Sequence, residues 1–97
     1  MTKITQMTQA EKIAETFGVV LGAASRCEQV SEERLNAVAV KARNAVMVTA
    51  HDEADAEAAD ELFSAAVDAG RIAAEDGKVD PDAVESALSE IEQRLAV

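Results

Sequence analysis

The sequence predicts an all-α fold: a four-helix antiparallel bundle, or helical hairpins that complete such a bundle by dimerisation. Three observations carry this expectation. Alanine and aliphatic residues recur at the 3.6-residue period of a helix through most of the chain. β-Branched residues form no alternating runs, and one proline occurs among the 97 residues. Capping and stop residues fall between the periodic segments, where short joints are needed.

Residues 1–7 are expected to form a loosely ordered lead-in, with Ile4 and Met7 available for packing. Thr8-Gln9-Ala10-Glu11 has the form of a capping box, in which each of the two side chains satisfies a backbone N–H of the first turn. It opens a helix whose apolar face carries Ala10, Ile13, Phe17, Val20, Leu21 and Ala24, with Lys12, Glu15 and Arg26 on the other side. Gly18 and Gly22 form a GxxxG step on this helix. The longest apolar run, Phe17 to Ala24, is far too short to span a bilayer, so the step predicts a close crossing with a neighbouring helix.

Ser31 caps the second helix, with Glu32 and Glu33 in the first turn, where the helix dipole favours acids. Leu35, Val38, Ala42, Ala45 and Val46 make its main apolar face. Val40 and Met47 lie roughly opposite, flanked by Asn36, Arg43 and Asn44. A helix apolar on two sides is central in its bundle or lies at an interface. Val40 and Met47, rimmed by Arg43 and Asn44, are therefore the predicted subunit contact.

No glycine or proline occurs between Ser31 and Ala69, yet the run is expected to break at Ala50–Asp52. The segment His51–Glu61 holds the only histidine and six acids. In mid-helix Glu53, Glu57 and Glu61 would repel one another at i,i+4, whereas the positive end of a dipole offsets that repulsion. Asp52 followed by Asp55 reads as an N-cap with an acid at N3. Val46, Val48 and Thr49 are β-branched and weaken the turn before. A third helix is predicted over residues 53–75. Its acidic face, Glu53, Glu57, Asp60, Glu61 and Asp68, stands opposite a predicted core stripe of Ala58, Leu62, Ala65, Ala69 and Ala73, with Phe63, Val67 and Ile72 at its margins. Gly77 is the predicted left-handed stop. Asp80-Pro81 then supplies an N-cap and a proline at N1, and Val84, Leu88, Ile91 and Leu95 give the fourth helix a 4-3-4 seam.

The length fits a single helical domain, 1–97, with a small core. Alanine-rich helices approach closely but bury little area each, which favours self-association, with a homodimer as the expected state. A net charge of −10 with nine scattered cations argues against direct binding to nucleic acid or to an anionic membrane. It suits a cytoplasmic protein or one that meets a basic protein surface. The start, MTKITQMTQAEK, lacks the apolar core of a signal peptide. One cysteine allows no internal disulfide.

No constellation completes a catalytic or metal site. His51 and Asp55 are spaced for a metal or proton-transfer pair, but there is no second histidine and no cysteine pair, so a helix-cap role is expected and neither metal nor cofactor is predicted. Cys27 lies at a helix C-terminus, where the dipole disfavours a thiolate, and no glycine-rich turn offers an oxyanion hole. The segment Glu75–Asp80 echoes the middle of a calcium loop, but the first, third and twelfth ligand positions would be Ile72, Ala74 and Ala83. The expected function is a non-enzymatic, acidic, self-associating helical module for protein–protein interaction. The alternatives are an acidic mimic of nucleic acid that blocks a basic protein groove and, more weakly, a metal-binding bundle.

Overall fold

Each helix begins where a side chain takes up one of its free N–H groups. The computed structural model describes residues 7–95, and the expected lead-in lies outside them apart from Met7. Helix α1 is Gln9–Ala24, α2 Glu32–Thr49, α3 Glu53–Glu75 and α4 Pro81–Leu95. The Thr8 hydroxyl accepts from Glu11 N at 3.1 Å while Glu11 accepts from Thr8 N at 2.9 Å, the reciprocal capping box. Ser31 accepts from Arg34 N at 3.1 Å and Asp52 from Asp55 N at 2.8 Å. Asp80 accepts from Asp82 N at 3.2 Å, with Pro81 at the position whose N–H is not needed.

The stops are equally local. Ala50 leaves the helical region at ψ 140°, so the long central run does divide at the predicted place. After α3, Gly77 adopts φ +72°, and Lys78 N donates to Ala73 O at 2.9 Å while Gly77 N donates to Ala74 O at 3.1 Å. That is a Schellman stop, which needs a residue tolerant of the left-handed region.

The helices run alternately up and down as a bundle. Thr8 meets Asp55 at one end of α1 and α3, and Arg26 meets Glu75 at the other, so these two helices are parallel neighbours. α2 and α4 are also parallel: Gln29 approaches Asp82, and Arg34 bonds Glu85 and Glu92. In cross-section the bundle is a rhombus. α1 and α2 lie across the short diagonal; α3 and α4, although consecutive in sequence, do not touch. α1 and α2 are therefore both central, each in contact with the other three helices, and the two-sided apolar pattern of α2 fits that place.

The core is built from Phe17 and Leu21 of α1, Val38 and Val46 of α2, and Val84, Leu88 and Ile91 of α4, with buried alanines between them. Leu88 and Val46 are the largest wholly buried side chains. The predicted α4 seam holds throughout, with Leu95 half-buried at its end.

Candidate interaction face

The feature that positions this face is the approach of α1 to α3. A Cβ on Gly18 would lie 2.7 Å from Ala66 Cβ and 2.8 Å from Phe63 O. A Cβ on Gly22 would collide with Val67 O, and one on Gly70 with Val19 O. The predicted close crossing is thus real, and it has a second half: Ala66 and Gly70 of α3 form a small-residue step that matches Gly18 and Gly22 of α1. Pairing such steps lets the backbones come together and gain dispersion contacts that larger side chains would forbid. In the sequence, the signal for Gly70 is the 66–70 spacing, which repeats the 18–22 spacing of α1.

This pairing turns α3 away from its predicted orientation. The residues it buries are Ala59, Ala66 and Gly70, with half-buried Phe63 and Ala74 packed on the core. The expected core stripe is displaced by about 100°, one residue step. Of its members Ala58, Ala65 and Ala69 are exposed, and Leu62 and Ala73 are half-buried. The physical reason is that backbone approach at Ala66 and Gly70, together with the packing of Phe63 on the core, outweighs the burial of Leu62, since area alone fixes neither distance nor shape fit.

Four members of the displaced stripe, with Ile72 from its margin in place of Ala73, form a surface 4-3-4-3 seam of Ala58, Leu62, Ala65, Ala69 and Ile72, the last 50% exposed. Beside it stands Val19 of α1, 40% exposed. Leu62, Ala65 and Ala69 form with Val19 and Glu15 an open groove of about 360 Å³. On the other side of α1, Val19 and Val20 border a second groove of about 260 Å³, walled by Val79, Ala83 and Ala87. Val19 is common to both, so an apolar strip runs from α3 across α1 to α4, with one shallow groove on either side of α1.

Acids edge this strip. Glu15 and Asp80 line its two grooves. Glu61 and Asp68 are exposed on the flank of the seam, with Glu53 and Glu57 farther round the same helix. Asp68 pairs with Arg71 only at 3.6 Å and keeps 69% of its side chain exposed. Asp60 is set apart from this group: it is half-buried and forms an ion pair with Arg43 of α2 at 3.0 Å.

The residues predicted for a subunit contact are divided. Val40 is 62% exposed, but Met47 is half-buried and packs against the core. Arg43 is turned to Asp60, and Asn44 borders a shallow surface groove with Lys41 and Val48. Val40 and Met47 do not share one exposed patch.

His51 and Asp55 meet through the backbone. Asp55 Oδ2 accepts from His51 N at 2.9 Å, and its Oδ1 accepts from Thr8 Oγ1 at 2.7 Å. One carboxylate thereby ties the start of α3 to the cap of α1. The hydrogen bonds from His51 N and then Thr8 hold Asp55 below the usual carboxylate range. A second polar tie escaped the sequence. Arg34 donates through Nε to both Glu92 oxygens at 3.1 Å, through Nη1 to Glu85 at 2.7 Å and through Nη2 to Ser89 at 3.2 Å. These bonds raise the Arg34 pKa and lower that of Glu92. The signal was the i,i+4,i+7 spacing of Glu85, Ser89 and Glu92 on one side of α4. Cys27 is half-buried against the core, as a small apolar side chain is.

No helix among the described residues is long and apolar enough to cross a membrane. The chain matches no protein-family model, no curated protein and no solved structure.

Proposed function

We propose that this chain is a small, acidic, non-enzymatic helical module for protein–protein interaction, and that it docks through the outward seam of α3 and Val19 of α1. The observation that carries the reading is the double pattern of α3: one stripe packs on α1 and a second stays at the surface. A helix that serves only its own bundle needs one stripe. An acidic decoy calls for charge without an apolar strip, and the seam favours the interaction module over that reading. The commitment of both Asp55 oxygens to capping contacts supports a role without catalysis, because a proton shuttle needs an acceptor within reach of its substrate. The acidity, with a sequence pI of about 4.4, fits a cytoplasmic setting.

Placing a photo-crosslinking side chain at Ala65 in the living cell tests this function. A discrete adduct is expected, lost when Leu62→Glu is added and kept when Val48→Glu is added. A folded protein that gives no discrete adduct from Ala65 contradicts the proposal.

A further inference from the structure

The geometry points to a specific occupant: the groove between α1 and α3, on the α3 side of the apolar strip, takes an amphipathic helix of another protein whose apolar ridge is flanked by lysine or arginine. This rests on the docking face proposed above and adds the chemistry of the partner.

Shape supplies the first part of the argument. α3 and α4 stand apart on the long diagonal of the rhombus, and the strip between them is apolar, with Val19 shared by both grooves. A helix laid in the α3 groove would reach Leu62, Ala65 and Ala69 on one wall and Val19 on the other. The small residues let it sit close, and the 4-3-4-3 spacing accepts a ridge of the same period.

Charge supplies the second. Glu15 and Asp80 line the grooves, and Glu61 and Asp68 flank the seam. Against them stand Lys12, one turn before Glu15 on α1, and Lys78, exposed two residues before Asp80. A ridge flanked by cations meets this rim with complementary charge, which steers encounter and excludes acidic competitors. A second copy of the chain meets it badly. Packing seam on seam would bring Glu57, Glu61 and Asp68 of both copies together, and like charges at such spacing repel. Nor does the chain have many cations to offer, because Arg26, Arg34, Arg43 and Arg71 are held in ion pairs within it.

The test uses the full chain and three fluorescent synthetic peptides of equal length: a helix with a Leu/Ala ridge flanked by Lys, the same helix with Glu in place of Lys, and a scrambled form of the Lys peptide. Binding is read by anisotropy at low and moderate salt. The Lys helix is expected to bind at least about tenfold more tightly than either control and to weaken as salt screens the rim. Ala65→Arg, at an exposed position, should weaken that binding about tenfold or more while the circular dichroism spectrum is kept, and Val48→Glu should leave it unchanged. Equal binding of the Glu helix or the scrambled peptide, or no effect of Ala65→Arg, overturns the assignment. So does a dimer in light scattering that Ala65→Arg dissociates, which would make the occupant a second copy. An Ala65 adduct in cells without binding of the Lys helix rejects the basic partner and leaves the docking face standing; loss of the adduct as well rejects both.

Discussion

Gly22 fixes the separation of α1 and α3, because the carbonyl of Val67 occupies the place of its missing side chain. Gly22→Ala forces that carbonyl or the whole helix to move, and overpacking of this kind costs on the order of 1–3 kcal/mol. Urea unfolding should show a loss in that range, against the gain in helix propensity that alanine brings elsewhere. At the other end of the same helix pair, Asp55 ties two caps together. Its pKa is lowered on folding, so its contribution is complete above the unfolded value of about 3.9 and drains away as pH falls through the folded one. Wild type should be more stable than Asp55→Asn at neutral pH, and the gap should close on acidification. A gap that stays constant down to pH 2 would show that the carboxylate charge is not what matters.

At the scale of elements, the boundaries were legible because capping chemistry is local. Thr8, Ser31, Asp52 and Asp80 each act within three residues of themselves, and Gly77 ends α3 through its own backbone angle. The orientation of α3 was not legible from its apolar pattern. Two stripes a residue apart compete there, and which one faces α1 depends on the matched glycines of another element. The Arg34 tie between α2 and α4 was hidden for a similar reason, since its partners lie 51 to 58 residues away. Its partly exposed groups keep its worth modest, while its several charge-assisted bonds raise it above a lone surface pair. Arg34→Ala also leaves Glu85 and Glu92 without their common cation. A loss of about 1–2 kcal/mol is expected, with faster hydrogen exchange in α4 than in α3. Uniform exchange in all four helices would mean that α4 does not depend on this tie.

For the whole molecule, the rhombic arrangement connects packing to the proposed function. The core gathers around α1 and α2, and α3 is held mainly through its small-residue step against α1. That leaves its second stripe free to form one wall of a groove beside α1. Ala65 and Ala66, adjacent in sequence, report on this directly: Ala65 is exposed in the seam, and Ala66 is 5% exposed against Gly18. The decisive measurement is the stability of Ala65→Glu and Ala66→Glu by chemical denaturation of the isolated chain. Ala65→Glu should stay within about 0.5 kcal/mol of wild type, as an exposed substitution does. Ala66→Glu should lose about 3 kcal/mol or more, because it places a carboxylate without a partner between two backbones. If Ala65→Glu is the more damaging of the two, α3 faces α1 with its other stripe, and the docking face does not exist.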